Sequence, residues 1–277
     1  MGIRNRALAG LAAAAGIGAS EAVRAEDLPL GQAHPWQLGF QEAATPIMAQ
    51  IHEFHNYVNV IIIAITLFVL GLMVYVMVRF NEKSNPEPSR NSHNTLLEVA
   101  WTVIPIFILV AIAIPSFRLL FAQYDFPKAD VSITATGAQW YWIYDYPEED
   151  ISFNSIMVPD DQLKPGQPRL LAVDTEVVVP VGANVVVSLK SNDVIHDWAV
   201  PAFGVKLDAV PGRLQQTWFR PDKEGWFYGM CSELCGRNHA FMPIAVRVVP
   251  QDEYDAWVAS KKTAKFDTDG KLAAVRD

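Results

Sequence analysis

The sequence predicts a transmembrane hairpin of two helices joined to an all-β Greek-key sandwich. Three observations lead there. Two long apolar stretches stand out, short β-branched runs punctuated by Pro and Gly follow them, and charge is sparse. Of the 277 residues, 51% are hydrophobic and 19% charged, against about 25% charged in an average soluble domain. The two apolar stretches account for that imbalance.

At the start of the chain, Arg4 and Arg6 precede an Ala-rich apolar run from Ala7 to Ala19, and Val23 and Ala25 stand before Glu26-Asp27. A basic start, a short apolar run and a small-residue site make the pattern of a secretory leader. It is predicted over 1–25, cleaved near Ala25, with Ala22 as the alternative. The run is too short to cross a bilayer. Residues 26–56 then form an outer segment. Its amphipathic stretch, Thr45 to Asn56, holds His52 and His55, read as a packing pair rather than as metal ligands.

Tyr57 to Val78 is an apolar span free of charged residues and ends at Arg79, which predicts a first span over 57–80. A second, 96–122, runs from Leu96 to Ala122 and is broken only by Glu98 and Arg118. Each exceeds the ~20 residues that cross a hydrocarbon core. Pro105 and Pro115 lie inside the second, where neighbouring helices satisfy the freed carbonyls. The loop 81–95 carries Lys83 and Arg90, and with Arg79 these place it on the cytoplasmic side; Glu82 and Glu87 keep the bias modest. An exported start followed by two crossings returns the rest of the chain to the outside.

Residues 123–250 read as one β domain. Val131 to Thr136 alternates strictly, and further strands are expected at Arg169 to Val173, Glu176 to Val179, Val185 to Leu189, Thr217 to Phe219, Gly225 to Gly229 and Ile244 to Val249. In the remainder, 251–277, a short helix is expected from Glu253 to Lys262, then a loose tail. From Gln123 onward there are 22 acidic against 15 basic residues. That sign excludes nucleic acid as a partner, and it suits either solubility or a basic protein.

The chemistry is concentrated in Cys231-Ser232-Glu233-Leu234-Cys235-Gly236-Arg237-Asn238-His239-Ala240-Phe241-Met242. Two thiols, an imidazole, a thioether and a carboxylate stand between two strand-like runs. One further His lies in the domain, His196. Thiolate and thioether beside imidazole is the donor set copper prefers. A blue-copper centre would leave one Cys over. Zinc could take Cys231, Cys235, His239 and His196, but Met242 has no part in that scheme. A disulfide would close a loop so small that it stabilises by roughly 2 kcal/mol or less. A dinuclear copper site is therefore favoured, with zinc and disulfide as the rivals.

Over almost its whole length the chain resembles cytochrome c oxidase subunit II. The resemblance rests on the Cys-Ser-Glu-x-Cys-Gly-x-Asn-His-x-Phe-Met pattern just quoted and on Gln139-Trp140-Tyr141-Trp142. It implies that the β domain is cupredoxin-like and holds two copper ions, the copper A centre. Cys231 and Cys235 would bridge, His196 and His239 would be terminal ligands, Met242 axial, and Glu233 a ligand through its carbonyl. The Glu233 side chain would also reach a magnesium ion at the boundary with subunit I. Trp140 would receive the electron from cytochrome c, although Ala138 stands where many relatives have His. Tyr141, Asp145, Glu148, Glu149, Asp150 and Asp193 would face that basic donor. Glu98 would sit at the mouth of a proton path in subunit I.

The implied activity is an oxidoreductase and translocase of the bacterial inner membrane. Electrons would pass through this chain to haem in subunit I, where oxygen is reduced to water with proton pumping, in a complex that also contains subunit III. No Cys-x-x-Cys-His occurs, so no c-type haem is expected in this chain. The competing reading from the residues is a membrane-tethered copper chaperone or store, which would not need the Trp140 motif or Glu98.

Overall fold

A computed structural model describes residues 31–274, with side chains through Thr263. The predicted leader therefore lies outside the described residues. Helix α1 spans Pro46–Arg79. Its start is well specified: the Thr45 hydroxyl accepts from Met48 N at 3.0 Å, and Pro46 takes the first helical position. Helix α2, Thr95–Tyr124, is capped by Asn94, whose side chain accepts from Leu97 N. At 1.5 Å per residue these helices are about 51 and 45 Å long. Their apolar side chains are largely exposed, and α2 buries none. Such a surface fits lipid and does not fit water.

The amphipathic stretch and the first span are one continuous helix. No breaker separates Thr45 from Tyr57, and the first turn is held on the β domain. Ile47 and Met48 are buried, the Thr45 hydroxyl donates to Phe203 O at 2.8 Å, and Gly204 lies against Met48. His52 and His55 instead flank Phe40, with ring centroids 5.5 and 4.6 Å away.

Ten strands follow among the described residues: β1 Val131–Ala138, β2 Tyr141–Tyr146, β3 Ile151–Ser155, β4 Val177–Pro180, β5 Val185–Ser191, β6 His196–Val200, β7 Val205–Ala209, β8 Gln215–Phe219, β9 Gly225–Cys231 and β10 Pro243–Val249. They form two five-stranded sheets, β3-β2-β1-β5-β8 and β4-β10-β9-β6-β7. Two pairs, β1 with β5 and β4 with β10, are parallel. Alternate residues point inward. Trp142, Tyr144, Tyr146, Val187 and Phe219 meet Trp198, Val200, Phe227, Ile244 and Val246 in a single core. Helix α3, Gln251–Ala274, begins earlier and runs further than the expected Glu253 to Lys262.

The sandwich is as predicted, but its strand list needs correcting. Arg169 to Val173 is not a strand. Pro168 starts a turn in which Leu171 and Ala172 bond back to its carbonyl, and Leu170 has φ +66°; only Val173 makes a bridge, to Met157. Four strands, β2, β3, β6 and β7, were not expected. β3, β6 and β7 are five residues long with polar residues inside them, so no apolar run announces them; β2 does carry an aromatic run, Tyr141 to Tyr144, which the expected strands leave out.

Candidate metal centre

Three neighbouring strand ends converge at one end of the sandwich. Strand β9 delivers Cys231 as its last residue, opposite Trp198 of β6, and β6 begins with His196. The loop from Ser232 to Met242 returns to β10. Its 3-10 turn, His239–Phe241, swings His239 and Met242 back over Cys235.

Both cysteines are free thiols and both are buried. Their sulfurs are 3.8 Å apart. His196 Nδ1 lies 3.9 Å from Cys231 Sγ, and the Glu233 carbonyl 3.3 Å from the same sulfur. His239 Nδ1 is 3.6 Å and Met242 Sδ 3.5 Å from Cys235 Sγ. Donors held about 2.0–2.3 Å from a tetrahedral ion stand about 3.5 Å from one another. The separations observed are thus those of ligands around a metal. His196, Cys231 and Cys235 place donor atoms all within 4.8 Å of one another, and the soft character of the set suits copper.

Protonation follows from the crowding. Burial opposes a charged Cys231, yet His196 and backbone N–H groups outweigh it and bring the thiol down to about 7. Cys235 is pushed up to about 12 by burial and by the neighbouring Cys231. Between those two values the pair keeps one proton, which a bound cation displaces. Burial also works against a charged His196, but Cys231 and Asp193 prevail and raise its pKa.

A second layer of contacts holds the donors. Asp193 Oδ1 lies 2.8 Å from His196 Nε2, leaving Nδ1 toward Cys231. Gln139 Nε2 and Trp140 Nε1 both donate to the Cys235 carbonyl, at 2.8 and 3.3 Å. Trp142, fully buried, donates to Met242 O at 3.3 Å and sets its ring edge-on to His196. Gly137 forms the floor under that imidazole: a Cβ there would lie 2.6 Å from His196 Cδ2. Asp197, buried beside His196, has its carboxyl pushed up to about 6, chiefly by burial and against the pull of Lys206.

The sequence-predicted residues are not all brought together. Cys231, Glu233, Cys235, His239, Met242 and His196 converge, with Trp140 half-buried against them and the Glu233 side chain exposed. Of the acidic residues expected on the docking face, Asp193 touches this group, accepting from Gln139 N at 2.7 Å. Asp145 stands further along β2, bonded by Ser152. Glu148, Glu149 and Asp150 occupy the turn at the other end of the β2–β3 hairpin, about 20 Å along the strand from Trp140. Glu98 is in the first turn of α2, remote from the metal centre in the chain's topology. Gly137, Gln139, Trp142 and Asp197 were missed. Gln139 and Trp142 belong to the Gln139-Trp140-Tyr141-Trp142 motif, which was the available signal, but it carried no hint of what they hold.

Comparison with known proteins finds relatives over most of the chain. The family described as "Cytochrome C oxidase subunit II, transmembrane domain" matches residues 33–119, and "Cytochrome C oxidase subunit II, periplasmic domain" matches 131–249. The probable cytochrome c oxidase subunit 2 of Rickettsia bellii is 53% identical over 242 residues, covering 87% of this chain and 90% of that one. Cytochrome c oxidase subunit 2 of Cereibacter sphaeroides is 47% identical, covering 94% and 93%. Among solved structures, the periplasmic domain of subunit II of cytochrome oxidase from Bradyrhizobium japonicum is 55% identical. It covers 50% of this chain and 97% of its own, with a TM-score of 0.47.

Proposed function

The chain belongs to the cytochrome c oxidase subunit II family, and on that premise we propose that it accepts electrons from cytochrome c at a dinuclear copper centre and passes them to haem in subunit I. The observation that carries this reading is the donor count. Two four-coordinate ions sharing two bridging sulfurs need six donors. Cys231, Cys235, His196, His239, Met242 and the Glu233 carbonyl are six, all within contact of the sulfur pair.

When bound, such a copper pair supplies a one-electron relay whose charge is spread over both metals and both sulfurs. The chain's own residues supply the rest. Burial of the sulfurs and of Met242 excludes water, and the strand ends hold the donors in place through each change of charge. Trp140 offers the way in, because its half-exposed ring bonds directly to the carbonyl of a bridging cysteine. Val194, Ile195, Leu234 and Phe241 leave apolar surface exposed around the centre, which supports a covering partner there such as subunit I. The exposed Glu233 carboxylate supports a magnesium ion in that boundary. Glu98, at the end of α2 nearest the polar loop, supports the role of a proton-path mouth.

In the membrane, this reading places 81–95 in the cytoplasm and the β domain in the periplasm, after removal of a leader. Subunit III completes the complex, and oxygen reduction with proton pumping belongs to the partner subunit.

The test is copper stoichiometry with electron paramagnetic resonance on the purified full chain. Two coppers and a seven-line hyperfine pattern are expected, and one ion per chain overturns the reading. Trp140→Phe should then block electron uptake from cytochrome c with the copper spectrum unchanged.

A further inference from the structure

We propose that Asp193 belongs both to the docking face and to the metal centre, so that the arrival of a basic partner at its carboxylate is felt at the metal. The inference rests on the proposed function above and deepens it. Its basis is the way one carboxylate is shared. Oδ1 accepts from Val194 N at 2.7 Å and lies 2.8 Å from His196 Nε2, while Oδ2 accepts from Gln139 N at 2.7 Å. A carboxylate offers about four lone-pair sites, so one remains. The Asp193 side chain is 32% exposed, whereas His196 is fully buried. The carboxylate is therefore open in part to solvent, on the residue bonded to Gln139 N next to Trp140 in the chain.

Gln139 ties the same point to the other half of the centre. Its N–H holds Asp193, and its side-chain amide holds the Cys235 carbonyl. Through His196 the carboxylate reaches toward Cys231, and through Gln139 toward Cys235. Asp145 and Glu148, expected on the same docking face, are bonded instead by Ser152 and Ser132, away from the sulfurs.

The physical consequence has a definite sign. A carboxylate that draws on the Nε2 proton makes the imidazole a stronger donor, which favours the oxidised metal. A lysine ammonium arriving at the free lone pair competes for that carboxylate and adds a positive charge nearby. Both effects favour the reduced state while the donor is docked. Asp193 acts here as a positioning residue, through His196.

The experiment uses the full chain, loaded with copper in detergent at low salt. Its midpoint potential is followed by electron paramagnetic resonance with and without cytochrome c whose iron is replaced by zinc, which docks but gives no electron in the dark. Docking should favour reduction roughly threefold, about 28 mV at 59 mV per tenfold for one electron. Asp193→Asn should raise the undocked midpoint by a similar amount and abolish the response to docking. Glu148→Gln should weaken docking yet keep the full response at saturation. An unmoved wild-type midpoint at saturation overturns the inference and needs no variant to fold; so does an Asp193→Asn chain that responds as fully as the wild type. A wild-type chain without the seven-line pattern overturns the parent reading, which the potential alone does not touch.

Discussion

The interior of the β domain and its loop end both bury polar atoms, but they treat them in opposite ways. In the interior, named donors and acceptors pair one to one. Trp198 Nε1 donates to Tyr144 OH, and the Tyr146 hydroxyl donates to Val178 O while accepting from Val178 N. At the loop end, two thiols, two imidazoles and a thioether face one another across 3.5–3.9 Å. All five are soft or nitrogen donors that a metal ion can take. The first arrangement makes a stable core; the second sets donors where a cation can bind.

Breaking the loop end should have the largest consequence. On the proposed dinuclear reading, Cys235→Ser exchanges a bridging sulfur for a hard hydroxyl, and the copper content should fall from two ions to one or none. Metal analysis together with loss of the seven-line pattern checks this; full retention of both ions would erase the contrast. Gly137→Ala should come next. Its Cβ would press on the His196 ring, so copper affinity should drop on the order of 10–100-fold, as when a ligand loses its support. Chelator competition measures that, and thermal unfolding of the metal-free chain should move far less.

Substitutions in the interior should cost stability and leave copper alone. Tyr146→Phe strands Val178 N and O in the core, at a cost of about 1–3 kcal/mol in urea unfolding. An altered copper spectrum would blur the two regions. The smallest effect is one of pH. Burial raises the pKa of Tyr144 and Tyr146 above the ordinary value of 10.0, so both stay neutral in the folded domain. The stability this provides is fully present below pH 10 and is lost as pH climbs above it. The loss is about 0.8 kcal/mol per tyrosine at pH 10.5. Urea midpoints between pH 8 and 10.5 test the slope, and a flat profile would contradict it.

Legibility along the chain divided on similar lines. The helices were readable, though α1 begins at Pro46 because Thr45 and Pro46 start it and nothing later stops it. Strands with β-branched alternation were readable too. Strands such as His196–Val200 were not, since all five residues are buried, polar ones included, and periodicity carries no mark of that. Conversely, Arg169 to Val173 looked like a strand by composition and was turned by Pro168 and by Leu170. At the centre, the local run from Cys231 to Met242 was legible as chemistry. The supports at Gly137, Gln139 and Trp142 were not, because each acts on a residue far along the chain. Gln139 reaches across 96 positions and Trp142 across 100.

Two things were determined by the sequence alone. A stretch that must satisfy its own backbone in lipid has to be an apolar helix, so length and composition suffice to find it. A loop that gathers Cys231, Cys235, His239 and Met242 within 12 residues declares its taste in metals by residue type. Tertiary structure alone decided which side of Cys231 His196 would approach and that Asp193 would meet Gln139. Those meetings depend on the registers of β6 on β9 and of β1 on β5. Register is set by the packing of both sheets together, and no local stretch of chain contains it.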